Sequence, residues 1–305
     1  MKPRAAAVSL QKAATAILPE ARSGWLYGVI GVLIFSGSLP ATRVAVLQLD
    51  PLFVTFVRAA AAGLLGLGLL VGMSERRPGR ADIGGLLIVA AGVVVGFPLF
   101  SAIALRHITS ARGLVYLGLL PLSTAVFGVL RARERPQPAF WVFALVGAAI
   151  EVGYAVAHGA GGTSSVGDAF MLAAIIAAGL GYAEGAHLSR RMGGWQVISW
   201  ALVLSLPVMI PLAVVFSPPG WLNSDGGTLI ALAYVSLFSM LIGFIFWYRG
   251  LALGGIAAVG QLQLVQPFLG FIWSAWLLRE HIEPALLAVC AAVLLCVAGA
   301  RRFAR

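Results

Sequence analysis

Three glutamines, Gln261, Gln263 and Gln266, precede Pro267 in a run that is otherwise apolar. An amide in such a setting must find a hydrogen-bond partner. At 100° per residue, Gln263 and Gln266 lie about 60° apart on a helix and share a face, while Gln261 points nearly the opposite way. Such amides either tie helices together or line a cavity and hydrogen-bond a solute. Two amides on one face beside a helix-distorting proline favour the cavity for Gln263 and Gln266. Gln261 stays open between the two roles.

A second polar group is Tyr182, Glu184 and His187. Glu184 and His187 are three apart and share a helix face. They either sit solvated at a membrane interface near Arg190 or take part in binding or an inner gate. Ser36 and Ser38 flank Gly37, with Pro40 close by, which makes a polar and kinkable point in another apolar run. Arg58 and Glu151 are the remaining ionisable residues well inside such runs. A buried charge is costly unless paired, so an Arg58–Glu151 ion pair is expected ahead of a substrate site. Phe97, Phe100, Tyr116, Phe244, Trp247, Tyr248 and Trp273 add aromatic surface. Most such rings face lipid or form an interfacial belt, and a minority are expected to wall a cavity. A cavity with aromatic walls and a few amides suits an amphipathic solute.

Enzyme chemistry finds no constellation here. His107, His158, His187 and His281 are scattered, and no apolar run holds a cluster of His, Asp and Glu. Cys290 and Cys296 lie six apart on different sides of a helix, which gives neither a local disulfide nor a metal spacing. No phosphate-cradling Gly-x-x-x-x-Gly-Lys loop occurs, so this chain does not use ATP. Neither catalytic residue, metal nor cofactor is expected.

The elements that must position these residues follow from composition. Sixty per cent of the 305 residues are apolar and 10% are charged, against about 25% charged in a soluble domain. Lipid must be part of the solvent. The net charge of +10 sits in loops, not in a stripe among aromatics. It therefore suits a cytoplasmic membrane surface and not nucleic acid. A bilayer core of about 30 Å needs roughly 20 apolar residues per helix. That ruler predicts an all-α polytopic protein with ten spans near 25–47, 51–73, 83–105, 109–130, 139–157, 167–188, 195–216, 227–248, 252–278 and 285–300. Breaks fall at turn chemistry such as Asp50-Pro51, Arg77-Pro78-Gly79, Gly159–Ser165 and Gly193-Gly194.

Basic residues orient the spans. With the N-terminus inside, 16 of the 21 Lys and Arg residues fall on cytoplasmic segments, including the tails at 1–24 and 301–305. Both termini are thus expected inside. The chain also repeats itself: Pro121, Arg133-Glu134 and Pro138-Ala139 recur as Pro267, Arg279-Glu280 and Pro284-Ala285, at a constant shift (267 − 121 = 146). Units of 25–158 and 166–300 result, each with five helices. An odd number of helices per unit makes the second enter the membrane upside down, as in transporters that alternate between two open states. Extended to the first helix, the same shift places Glu184 opposite Ser38 and Tyr182 opposite Ser36.

The segment Ala104-Leu105-Arg106-His107-Ile108-Thr109-Ser110-Ala111, then Pro121, then Arg133-Glu134-Arg135, resembles the EamA type of the drug/metabolite transporter superfamily, with Arg58 matching an Arg early in that family's second helix. The resemblance spans about 25–300. It implies ten helices in two inverted five-helix repeats and export of small metabolites. The architecture is similar to that of aromatic and broad-range amino-acid exporters. Gly254-Gly255-Ile256 and Arg279-Glu280-His281 depart from the family pattern in the second copy. A secondary transporter of amino acids or related metabolites, working as a monomer in the inner membrane, is the expectation. Another solute class (nucleoside, sugar or drug-like) is the alternative. A channel would need a more continuous polar lining.

Overall fold

The structure, a computed structural model, describes residues 23–108, 113, 116–157, 164–278 and 284–304. Among these residues every regular element is helical and no strand occurs. The helices are α1 (Ser23–Gln48), α2 (Pro51–Gly72), α3 (Arg80–His107), α4 (Leu120–Ala132), α5 (Pro138–Ala157), α6 (Ser165–Met192), α7 (Gly194–Val215), α8 (Gly226–Gly254), α9 (256–278) and α10 (Pro284–Phe303). Of these, α1, α2, α3, α6, α7 and α8 are long and apolar enough to cross a membrane. Leu65, Val71, Leu145, Val215, Ile230 and Leu295 are exposed on the outside of the bundle, a surface made for lipid and not for water.

Turn chemistry sets the boundaries. Asp50 caps α2 by accepting from Leu52 N at 2.8 Å, with Pro51 at the first helical position. Asp225 caps α8 by accepting from Thr228 N at 2.8 Å. Gly193 ends α6 at φ 95°, a conformation that disfavours any side chain. The ninth predicted span began at 252, but α8 runs on to Gly254, so Arg249 lies in its last turns and not in a loop.

Helix ends that touch one another define two faces. On the first, Asp82 near the start of α3 pairs with Arg191 at the end of α6 at 2.7 Å. Gln137, just before α5, donates its N–H to Phe303 O in the last turn of α10 at 3.0 Å. The starts of α1 and the end of α8 meet so closely that a methyl on Gly24 would lie 2.6 Å from Gly254 N. On the opposite face Arg106 near the end of α3 approaches Asp50 at 3.6 Å, and Gln48 at the end of α1 bonds Asp225. The first face carries Arg76, Arg77, Arg80, Arg133, Arg135 and Arg190, whereas Arg43 and Arg106 mark the second among the described residues. Inside the bundle, α6 contacts α3, α4, α7 and α8, and α2 lies along α7 as α5 lies along α10.

The repeat is visible in the helix bounds. Leu120–Ala132 recurs as Gln266–Leu278, and Pro138–Ala157 as Pro284–Phe303, both at 146. Each half also has a π-helical segment in its third helix, Ala90–Gly96 and Val235–Ile242. The shift is smaller upstream. α2 and α7 begin 143 apart (194 − 51 = 143), and α1 and α6 end 144 apart (192 − 48 = 144). The connection 216–225 is three residues longer than its counterpart 73–79, and that insertion absorbs the difference. The pairing of Ser38 with Glu184 is therefore corrected. Ser38 corresponds to Tyr182, and Glu184 to Pro40.

Candidate functional site

α1 breaks at its centre. Its helix is interrupted at Gly37, where a Cβ would lie 2.7 Å from the Tyr234 hydroxyl. Three successive carbonyls before the break are each met by a side chain. Ser36 Oγ donates to Leu33 O at 2.7 Å, the Tyr234 hydroxyl donates to Ile34 O, and Gln266 Nε2 donates to Phe35 O at 3.4 Å. The indole N–H of Trp273 donates to Ser36 Oγ at 2.9 Å. An irregular backbone inside an apolar bundle is tolerable only with such partners, and it commonly marks a place where something binds.

The glutamines lie beside this break. Residues 261–265 of α9 form a 3-10 segment that ends just before Gln266-Pro267, so the chain is irregular on both sides of the contact. Gln261, Gln263 and Gln266 are all buried. Gln263 Nε2 donates to Thr124 Oγ1 at 3.4 Å. Both Oε1 atoms, of Gln263 and Gln266, lack a partner, as do both polar atoms of Gln261. A buried amide left half-satisfied is destabilising by about 1–3 kcal/mol. Gln263 thus links α9 to α4 and Gln266 links α9 to α1 through one end of each amide, and the other end has no partner among the described residues.

An aromatic wall adjoins them. Phe35 stacks near Tyr182 at 6.3 Å between centroids and meets Phe244 at 4.9 Å and Trp247 at 6.2 Å; Tyr182 lies 5.7 Å from Trp247. Trp247 and Tyr248 are fully buried, so neither belongs to an interfacial belt despite Arg249 next door. The Trp247 indole N–H has no partner. Phe97 and Tyr116 are half-buried and lie against the same apolar core.

Ser38, past the break, shares a 2.7 Å hydrogen bond with Ser239, which sits in the π-helical segment of α8. Arg58 of α2 donates to the same Ser239 hydroxyl at 3.2 Å. Its expected partner was Glu151. The side chain of Glu151 lies outside the described residues, and α2 contacts α3, α7 and α8 while α5 lies chiefly along α10, so the helix contacts do not favour that pair.

Glu184 departs from the solvated reading. It is buried and takes Arg131 Nε at 2.7 Å. Arg190 instead pairs with Glu134 at 2.8 Å. Glu134 also accepts from the backbone N–H groups of Ile256 and Ala257, at 2.9 and 2.8 Å, and so caps the start of α9 from the end of α4. His187 is half-buried with Nδ1 unpartnered. A cavity of about 460 Å³ opens at this arginine-rich face, lined in part by Arg133, Glu134, Arg190 and Gly255. It is separate from the buried amides. Glu280, the repeat partner of Glu134, lies outside the described residues, as does the tail at 1–22.

Sequence reasoning missed Phe35, Thr124, Ser239 and Tyr234. The signal available for Ser239 was a hydroxyl in the apolar run Val235–Ile242. Phe35 gave none, because its surroundings are rings on other helices.

The model of the EamA-like transporter family matches twice, over 22–150 and 165–301. The chain belongs to the EamA-like transporter family. It is a multi-pass membrane transporter and not an enzyme. A Bacillus subtilis (strain 168) protein named "Uncharacterized transporter YdeK" is 61% identical over 283 residues, covering 93% of this chain and 98% of that protein. An "Uncharacterized transporter" of Archaeoglobus fulgidus (strain ATCC 49558 / DSM 4304 / JCM 9628 / NBRC 100126 / VC-16) is 21% identical over 253 residues, covering 82% of this chain and 87% of that protein. A solved crystal structure of a protein 20% identical shares the fold with a TM-score of 0.74, over 91% of this chain and 98% of that one. In this EamA-like transporter, the family match falls on each half, and the break in α1 and the glutamines of α9 come from different halves.

Proposed function

We propose that this EamA-like transporter exports amino acids or related small amphipathic metabolites across the inner membrane. It works as a secondary transporter by alternating access. The observation that carries this reading is the pair of buried amides, Gln263 and Gln266, each with an unpartnered oxygen beside an aromatic wall. Polar capacity held in an apolar interior fits a solute that is itself part polar and part apolar.

Alternation follows if the ten helices are read as spans in two inverted five-helix units. Helices α1, α3, α5, α7 and α9 begin on the arginine-rich face, and α6 ends there. The second unit therefore starts from the opposite face. We read that arginine-rich face as the cytoplasmic one, which puts both termini inside. Arg131–Glu184 and the contacts of Glu134 hold α4, α6 and α9 together there. Opening toward the cytoplasm parts these contacts, and opening outward leaves them intact. One chain contains both halves, so a monomer suffices.

The test is flux in proteoliposomes against a panel of amino acids, nucleosides and sugars. Amino acids should move. Flux of another class with none for amino acids would overturn the substrate, and flux far above about 10⁴ per second would indicate a channel instead, since gated domain motions take microseconds to milliseconds.

A further inference from the structure

We infer that Arg58 binds the carboxylate of the transported solute, while the free oxygens of Gln263 and Gln266 accept from its ammonium group. The inference rests on the amino-acid reading above and assigns the two charged ends of the zwitterion to named residues.

Arg58 is 3% exposed and makes one described hydrogen bond, to Ser239 Oγ at 3.2 Å; its Nε–H has no partner. A guanidinium carries five N–H donors in a planar fork shaped for a carboxylate. Burying it with a single hydroxyl for company is unfavourable unless an anion arrives. The hydroxyl contact aims the fork without neutralising it.

The orphans on α9 are of opposite kind. Gln266 Nε2 faces the carbonyl of Phe35, which can only accept, so its Oε1 is the free end. Thr124 Oγ1 donates to Leu120 O at 2.9 Å, so it must accept from Gln263, and Gln263 Oε1 is free as well. The amide orientations are thus fixed by their neighbours. Among the described residues, one buried cation without an anion and two buried carbonyl oxygens without donors are the complement of a zwitterion. Gln261 and the Trp247 indole N–H are unpartnered too, but neither is charged, so Arg58 alone sets the anionic end.

Position agrees. Phe35, whose carbonyl holds Gln266, and Ser38, whose hydroxyl bonds Ser239, are three residues apart, about 4.5 Å along α1. The broken centre of α1 joins the two ends of the site. The aromatic wall of Phe35, Tyr182, Phe244 and Trp247 stands beside it for an apolar side chain.

The repeat separates function from fold. At the shift of 143 the counterpart of Arg58 is Ala201, and at 146 that of Ser239 is Val93. Gln263 and Gln266 correspond to Leu117 and Leu120. The same architecture therefore closes without these groups in the other half.

The experiment compares amino acids with their carboxamides in proteoliposomes. The wild type should prefer the free acid. Arg58→Gln should lower amino-acid flux about tenfold and reduce the preference to within about twofold. Arg58→Lys, which keeps the charge but loses the fork, should retain part of the preference. Ser239→Ala, which leaves the charge and removes its aiming contact, should weaken it as well. Thermal unfolding of each purified variant identifies any that fail to fold. Should Arg58→Gln fail to fold, a preference unchanged in both Arg58→Lys and Ser239→Ala overturns the assignment. If amino acids move and a folded Arg58→Gln keeps the wild-type preference, Arg58 does not read the carboxylate, and the proposed function stands. If the moved solutes carry no anionic group, both readings fail. If they are anions of another class and Arg58→Gln abolishes their preference over neutral analogues, the amino-acid reading fails and Arg58 keeps its role.

Discussion

The arginine-rich face and the centre of the bundle differ in how their charged groups are partnered. At the face, Glu134 accepts from Arg190 and from two backbone N–H groups, Glu184 takes Arg131, and Asp82 takes Arg191. At the centre, Arg58 Nε, Gln263 Oε1, Gln266 Oε1 and both ends of Gln261 are unpartnered. Satisfied groups hold helices in place; unsatisfied ones in an apolar interior hold capacity for something else. The ion pairs of the described residues thus lie where water reaches, while the amides and Arg58 are buried in the proposed site.

The comparison predicts that substitutions at the face cost stability and those at the centre cost flux. The largest stability effect belongs to Glu134→Ala, which removes three acceptor contacts and should destabilise the protein by about 3 kcal/mol, read as a fall in thermal unfolding temperature in detergent. Glu134→Gln keeps one acceptor oxygen and should lose about half of that. Equal stability of Glu134→Ala and wild type would end the claim that this carboxylate fastens α9.

Replacing Gln263 and Gln266 together by leucine, the residue each has in the other half, should cut flux at least about tenfold, equivalent to about 1.4 kcal/mol. Unfolding temperature should stay level or rise, because two orphaned oxygens are removed. A large loss of stability would show instead that the amides hold helices together. Arg131→Ala should cost about 1 kcal/mol, since Glu184 stays buried while the arginine is largely solvated and screened.

The smallest effect is at the opposite face. The Thr228 N–H above all, with the Thr228 hydroxyl and Gln48, holds the Asp225 carboxyl below its ordinary pKa. A depressed carboxyl contributes stability above its unfolded pKa of about 4 and loses it as pH falls through the folded value. Wild type should therefore lose stability in acid slightly more than Asp225→Asn does. Parallel pH curves for the two would remove the cap from the account.

Much of this was legible beforehand. Long apolar runs and the breaks at Asp50-Pro51 and Gly193-Gly194 follow from local chemistry, and those breaks fall between helices. Gln263 and Gln266 were legible because an amide in an apolar run has few explanations. The register of α1 against α6 was not, because a fixed shift cannot detect an insertion at 216–225. Nor were the partners of Arg58 and Glu184, which lie 181 and 53 residues away in the chain.

The sequence by itself determined that the chain is helical, membrane-embedded, duplicated and of this transporter family. Composition, helix period and turn residues act locally, and a repeat is read by comparison along the chain. The tertiary structure alone decided which polar groups are partnered. Hydrogen bonds depend on separations of about 3 Å, and only the assembled bundle sets those between residues on different helices.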